Sequence, residues 1–300
     1  MDIAGQLASR RPFFSFEFFP PKDDAGREAL FATIASLEAL GPAFVSITYG
    51  AGGSTRARTV DLAKQIAERT GITVLAHVTA YGQSRAELRA LFDELNRAGI
   101  RNVLALRGDA PRSGEANAGE FPYASDLISY LARSYDFCIG AACYPEVHLE
   151  AESPEADLAH LAAKVAAGAR FLITQLFFDN DKYFAFVERA RAAGIEVPIL
   201  PGIMPITNYD QIARFTKMCG ATFPPKLIAE LDKQREHPKA IEDLGVAYAA
   251  VQAMELLRGG APGVHFYTLN KSPSARAIGS ALLAASAWRP VFKERGAGIT

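Results

Sequence analysis

The sequence predicts an α/β fold, a (β/α)8 TIM barrel of parallel strands with extra helices between strands seven and eight. Short β-rich apolar runs alternate with longer helical patterns almost from end to end. Eight such runs can be counted, enough to close a cylinder without leaving edges. No linker or internal repeat interrupts them, so residues 1–300 read as one catalytic barrel domain. A doubly wound open sheet shows the same alternation and is the competitor; the count favours the barrel.

The strand candidates, in order, are Phe13–Phe18, Phe44–Thr48, Thr73–Val78, Asn102–Leu106, Phe137–Cys143, Phe171–Leu176, Val197–Leu200 and Val264–Leu269. Between them lie apolar faces of helical period. Leu30, Ile34, Leu37 and Leu40 mark a helix from Glu28 to Leu40, and Leu88, Leu91, Phe92 and Leu95 mark one from Glu87 to Ala98. Gly41, Gly71, Gly99, Gly168 and Gly194 each follow a helical stretch and precede a β run, the position of a C-terminal cap. The stretch Asn208 to Pro262 is too long for one helix; it reads as a helix, a break at Pro224-Pro225, then one or two more helices including Ile241 to Arg258.

Composition excludes several function classes. The chain is 49% hydrophobic and 22% charged, which is globular. Lys plus Arg number 32 against 33 Asp plus Glu, so the basic excess of a nucleic-acid binder is missing. The three cysteines include no CxxC pair, and as a strand Cys138 and Cys143 fall on opposite faces; they read as small buried hydrophobes of a reducing compartment rather than a nucleophile or metal site. Met1–Arg11 lacks an apolar core for a signal peptide, and no run approaches a spanning helix. A cytoplasmic protein without membrane, nucleic-acid or metal partners is expected, and the composition is compatible with a homo-oligomer.

Barrel chemistry belongs at the C-terminal strand ends. Those ends carry Glu17; Thr48 and Tyr49 before the loop Gly50–Gly53; His77 and Thr79; Arg107-Gly108-Asp109; Tyr144, Glu146 and His148; Thr174, Gln175 and Asp179; and His265, Tyr267 and Asn270. Glu17, flanked by Phe16, Phe18 and Phe19, is expected to be partly desolvated with a raised pKa, fit for a general acid; a salt-bridged structural Glu is the competing reading. Asp109 is either a second functional carboxylate or a turn cap. Tyr144 and Tyr267 either stack on a planar ligand or close the barrel top. The Gly50–Gly53 loop matches neither dinucleotide nor P-loop motifs. Strand bodies hold no Lys for a Schiff base, the first strand end holds no His-x-His, and no G-x-S-x-G elbow occurs. A planar cofactor with many hydrogen bonds fits this set better than a metal or a covalent nucleophile.

The segments Ser15-Phe16-Glu17-Phe18-Phe19-Pro20-Pro21-Lys22, Ser46-Ile47-Thr48-Tyr49-Gly50-Ala51, Ala105-Leu106-Arg107-Gly108-Asp109, Tyr144-Pro145-Glu146-Val147-His148, Ile173-Thr174-Gln175-Leu176-Phe177-Phe178-Asp179, Pro201-Gly202-Ile203-Met204-Pro205 and His265-Phe266-Tyr267-Thr268-Leu269-Asn270 resemble, in order, the methylenetetrahydrofolate reductase family in its short bacterial form. The resemblance runs from about Phe14 to Asn270. It implies an FAD-containing barrel that reduces 5,10-methylenetetrahydrofolate to 5-methyltetrahydrofolate with NADH or NADPH, in a ping-pong order through flavin N5. The product supplies methyl groups for methionine synthesis. No C-terminal regulatory domain is expected.

Position by position, the resemblance implies that Glu17 protonates folate N10 and that Asp109 lies near the flavin and favours the cationic iminium. Thr48, His77, Arg107, Gly108, Tyr123, Ala124, Tyr144, His148, Asp157, His160 and Lys164 take FAD-contact positions, with Arg107 and Lys164 as diphosphate partners. Gln175 takes a pterin contact, Tyr209 packs on substrate or nicotinamide, Tyr267 joins the substrate set, and Lys271 meets the folate glutamate tail. Departures are Ala163, where relatives carry Arg, His160 for Asn, Tyr209 for Phe and Lys271 for Arg. NADH is favoured over NADPH because no pair of basic residues marks a 2′-phosphate pocket. Another FAD-dependent barrel, resembling proline dehydrogenase, is the alternative; it would not need Glu17 as a ring-opening acid.

Overall fold

The computed structural model describes residues 2–8, 13–49, 56–109, 119–271 and 273–285; the Gly50–Gly53 loop lies outside them. The eight expected strand positions are all occupied by parallel strands: β1 (Phe13–Phe18), β2 (Phe44–Ile47), β3 (Thr73–Thr79), β4 (Asn102–Leu106), β5 (Cys138–Cys143), β6 (Phe171–Thr174), a seventh position split into β7 (Ile199–Leu200) and β8 (Gly202–Ile203), and β9 (Gly263–Tyr267). Several strands are a residue or two shorter than their apolar runs, because the last residues already belong to the loops that build the barrel's mouth.

The split at Pro201 explains how the barrel closes. Proline has no backbone N–H, so the ladder cannot run through it unbroken. Before it, Ile199 and Leu200 pair with Leu172 and Ile173 of β6; after it, Gly202 and Ile203 pair with His265 and Phe266 of β9. The Pro201 carbonyl still accepts from His265 N at 2.9 Å, so the seam is closed by one short strand on each side of the proline.

Helices alternate with the strands: α1 (Ile3–Ala8), α2 (Asp24–Glu38), α3 (Arg56–Thr70), α4 (Arg85–Arg97), α5 (Ala124–Ser134), α6 (Pro154–Ala166), α7 (Asn180–Ala192), α8 (Tyr209–Cys219), α9 (Pro225–Lys233), α10 (Pro238–Arg258) and α11 (Pro273–Ala284). The long Asn208–Pro262 connection resolves into three, α8 to α10, with Pro224 and Pro225 at the start of α9. The glycines expected to cap helices all have positive φ, from 62° at Gly41 to 125° at Gly168.

Side-chain alternation sorts the strands into two cores. Phe14, Phe16 and Phe18 point outward and pack with Leu30, Ile34 and Leu37 of α2, whereas Ser15 and Glu17 take the inward positions. The interior floor is built from Phe44, Leu75, Leu104, Cys138, Phe171 and Leu200, plugged by Ile3, Ala4 and Leu7 of α1. Cys138 is thus an inward residue and Cys143 an outward one, both buried and free, as the sequence led us to expect.

The plug is not evident from the sequence, since six residues carry too little periodicity to read. Its first turn is tied to the barrel: Ile3 N donates to the buried Asn102 Oδ1 at 3.0 Å, and the Asp2 side chain pairs with Arg170 at 2.6 Å. Asn102→Ala should leave a buried N–H unmatched and cost about 1–3 kcal/mol in urea unfolding. A loss of under a few tenths would show that the plug contributes little. No described helix is long and apolar enough to cross a membrane.

Candidate active site

Glu17 is the fifth residue of β1, opposite Ser46 of β2 and Tyr267 of β9 in the sheet register. Its side chain is buried (residue exposure 9%), and three neighbours converge on one oxygen, Oε2. Ser46 Oγ donates at 3.5 Å, His265 Nε2 lies at 3.5 Å and His77 Nε2 at 3.6 Å. Below them, Ser15 Oγ is 2.8 Å from His265 Nδ1. The Thr268 hydroxyl donates to the Glu17 carbonyl at 2.6 Å, fixing the strand end. Among the described residues nothing hydrogen-bonds Oε1, so one oxygen is anchored and the other is available.

The aromatic flanks do not do what their place in the sequence suggests. Phe16 and Phe18 face the helices, away from the carboxylate, and Phe19 is largely exposed, so none of the three raises Glu17's pKa. Burial does push the carboxyl up. The hydrogen bond from His265, the electrostatic pull of the His77 and His265 imidazoles, and the Ser46 hydroxyl together outweigh it, and the pKa ends below the ordinary Glu value. Burial drives the His77 imidazole down to about 4, against an opposing pull from Glu17, so His77 is neutral at physiological pH.

A second cluster gathers the ends of β4 and β5 with α6. Lys164, half-buried, donates to the Ala142 carbonyl at 3.0 Å and lies 5.8 Å from the Tyr144 ring centroid. Burial pulls its ammonium below the ordinary Lys value, against the attraction of Asp157. Asp157 Oδ2 accepts the His148 backbone N–H at 3.2 Å, and the His148 and Tyr144 rings meet edge to face at 4.6 Å. Burial raises the Tyr144 phenol, and the Asp109 carboxylate adds to the rise. Arg107 pairs with Glu150 at 2.5 Å, a partner the sequence does not reveal.

Gly108 connects the clusters. It adopts φ +85°, and a Cβ there would meet Thr79 Cβ at 2.9 Å, so only glycine lets the chain pass the end of β3. The described non-glycine residues with positive φ are Val147, Leu269 and Asn270, all in the loops that follow β5 and β9 at this same mouth. Backbone strain of this kind collects at functional sites. Asn270 uses its conformation to clamp the first loop, with Phe19 N donating to its Oδ1 at 2.7 Å and its Nδ2 donating to Phe19 O at 2.9 Å.

Other expected residues take varied places. Gln175 follows β6, its Oε1 accepting Leu176 N at 2.9 Å, and Thr48 follows β2. Tyr267 closes the barrel top: its hydroxyl donates to the Thr174 carbonyl at 2.6 Å and its ring stands edge-on to His265. Tyr209 opens α8 and donates to Asp232 of α9 at 2.7 Å beneath the Arg235 guanidinium, so its hydroxyl ties two helices together. Tyr123 caps α5 and is 61% exposed, Ala124 starts that helix, and His160 and Lys271 are exposed. Glu146 and Asp179 do structural work instead: Glu146 accepts from Thr222 N at 3.0 Å, and Asp179 caps α7. Ser15 and Ser46 belong to the site through inward alternation and register, which spacing along one strand does not disclose, and they join His265, already named among the strand ends.

Comparison with known proteins adds three findings. A family model, methylenetetrahydrofolate reductase, matches residues 2–282. The chain is 41% identical over 264 residues to the 5,10-methylenetetrahydrofolate reductase of Pectobacterium carotovorum and 40% identical over 265 residues to that of Escherichia coli K12, covering 88% of both chains in each case. It is 38% identical to methylenetetrahydrofolate reductase (NADH) 1 of Arabidopsis thaliana, covering 88% of this chain and 47% of the plant protein. In fold it resembles a Clostridium thermocellum protein that binds two copies of 5-methyl-5,6,7,8-tetrahydrofolic acid, with a TM-score of 0.64 at 15% identity over 95% of this chain and 98% of that one.

Proposed function

Since the chain belongs to the methylenetetrahydrofolate reductase family of oxidoreductases, we propose that it reduces 5,10-methylenetetrahydrofolate to 5-methyltetrahydrofolate in the cytoplasm with FAD as cofactor and NADH as donor, supplying methyl groups for methionine synthesis. The observation that carries this reading is Glu17, a buried carboxyl group at a barrel mouth with Oε2 held by Ser46 and His265 beside the His77 imidazole and Oε1 left available.

The residues present fit FAD. His77 Nε2 and Thr79 Oγ1 are buried polar atoms without a hydrogen-bond partner in the protein, a state that persists when a ligand supplies one. Gly108 leaves backbone room beside Thr79 where any Cβ would collide. Arg107 and Lys164 offer charge to a diphosphate, and Asp157, His160 and Lys164 recur on one face of α6. Thr48, Tyr123, Ala124, Tyr144 and His148 complete the proposed set around these. Where relatives carry an Arg, Ala163 is exposed and offers no charge, so Lys164 holds a larger share of the diphosphate. Bound FAD supplies a two-electron carrier between nicotinamide and folate.

The chain's own residues then act on the folate. Gln175 holds the pterin, Tyr209 and Tyr267 pack against the substrates, and Lys271 meets the glutamate tail. Glu17 delivers a proton to N10, the C–N10 bond breaks, and the ring opens to the 5-iminium cation. The Asp109 carboxylate favours that cation electrostatically. Nicotinamide and folate use one mouth in turn, which is a ping-pong order.

Two measurements test the cofactor half of this reading. Flavin released by heating the purified protein should be FAD, and initial velocities at several fixed folate concentrations should give parallel double-reciprocal lines; absence of flavin after reconstitution, or intersecting lines, would count against it. Lys164→Met should weaken FAD binding to the apoprotein roughly 10- to 100-fold, the worth of a hydrogen bond to a charged group. Fluorescence titration with FAD measures this, and an unchanged Kd would remove Lys164 from the diphosphate site.

A further inference from the structure

A general acid must hold a proton, yet this one is held below the ordinary Glu value, so the proton has to be stored beside it. His265 is the neighbour placed to store it. It lies opposite Ser15 in the β1–β9 register, and Ser15 and Glu17, two residues apart on β1, both face inward. The imidazole is fully buried, stacked on Phe44 at 5.8 Å and edge-on to Tyr267 at 5.3 Å, so the ring is fixed. Its Nδ1 is 2.8 Å from Ser15 Oγ and its Nε2 is 3.5 Å from Glu17 Oε2.

We infer that His265 is a positioning residue for the Glu17 proton: Ser15 accepts Nδ1–H, Nε2 is thereby turned to Glu17, and one proton is shared between Nε2 and Oε2. This rests on the functional reading above. At rest the proton sits on nitrogen, giving an imidazolium beside a carboxylate. When folate covers the mouth and excludes water, a neutral pair is favoured over two buried charges, and the proton moves to Glu17 as the N–H bond breaks and an O–H bond forms. The carboxyl group turns about its Cγ–Cδ bond to present that O–H on the open side, and the O–H bond breaks as the N10–H bond forms. The pair is left as carboxylate and neutral imidazole, with Nδ1–H still on Ser15, and regains its proton from water after product leaves. No oxidant or reductant enters these steps.

Among the described residues the other titratable groups facing His265 are His77 on β3 and Tyr267 on β9. His77 is held neutral by burial and Tyr267 is raised far above neutrality by burial and the Glu17 charge, so neither competes for the proton. Ser46 Oγ, 3.5 Å from both Nε2 and Oε2, bridges the pair without titrating.

The test uses FAD-loaded protein, reduced anaerobically with NADH and mixed with 5,10-methylenetetrahydrofolate across a pH series. The rate of flavin reoxidation should fall as pH rises through the pair's apparent pKa. Ser15→Ala, which removes the acceptor that stabilises the imidazolium, should move that limb about one to two units to lower pH. His265→Asn should slow reoxidation about 100-fold, far more than it slows reduction by NADH; should that variant fail to hold FAD, the serine variant still decides. In 15N-histidine NMR at neutral pH, His265 should show two protonated nitrogens in the native protein and one in Glu17→Gln. An unmoved pH limb in Ser15→Ala, or a neutral His265 in the native protein, would overturn the shared proton. Failure of folate to reoxidise the native flavin would instead overturn the functional reading beneath it.

Discussion

Glu17→Gln is expected to slow reoxidation of the reduced flavin by 5,10-methylenetetrahydrofolate about 100- to 10,000-fold, the usual worth of a positioned general acid. Reduction of the flavin by NADH should stay within about twofold, because that half-reaction delivers a hydride and asks for no proton at N10. The separation follows from geometry. The carboxyl group is held at Oε2 by Ser46 and His265, side chains that glutamine can still contact, so the fold and the cofactor site should survive the change. Equal loss in both half-reactions would mean that Glu17 supports the flavin rather than the folate. Undiminished folate reduction would point to a different acid, and turnover of a small amine by the variant would favour the proline dehydrogenase-like alternative.

Gly202→Ala is expected to lower stability by about 2–3 kcal/mol, which for a chain of this size lowers Tm by roughly 5–10 °C. A Cβ at this position would sit 2.5 Å from the Thr174 carbonyl oxygen and 2.7 Å from the Tyr267 hydroxyl. Those two atoms form the 2.6 Å hydrogen bond that joins β6 to β9 across the split seventh strand, and Gly202 N itself donates to Thr174 Oγ1 at 2.9 Å. The collision therefore opens the barrel where its seam is weakest and displaces the tyrosine ring packed against His265. Both half-reactions should suffer, in contrast to Glu17→Gln. Calorimetry and the two half-reaction rates check the prediction together; an unchanged Tm would mean that the seam is not held by this contact.

Much of the architecture was legible because it depends on local pattern. Apolar runs marked all eight strand positions, five of them preceded by a capping glycine, and Pro224-Pro225 marked the start of α9. The split at Pro201 was not legible, since the consequence of a missing N–H depends on which neighbours flank it. Nor was the α1 plug, whose apolar residues make sense only against a floor assembled from six different strands.

The site was legible as a set of strand ends and misleading in its electrostatics. Glu17 stood out, but its chain neighbours Phe16 and Phe18 lie on the opposite face of the strand, as a period of two requires. The groups that set its charge are Ser46, one strand away, and His265, some 250 residues later in the chain. Register brings them together, and register is written in the whole barrel rather than in any segment. The same holds for Arg107, whose partner Glu150 comes from the loop after β5.

The most direct test of the account is one anaerobic mixing experiment. FAD-loaded protein is bleached with one equivalent of NADH, then mixed with 5,10-methylenetetrahydrofolate while the flavin band is followed and the folate products are separated. The oxidised flavin band should return with formation of one equivalent of 5-methyltetrahydrofolate per flavin. A flavin that NADH bleaches but the folate leaves reduced, with no methyltetrahydrofolate formed, would contradict it.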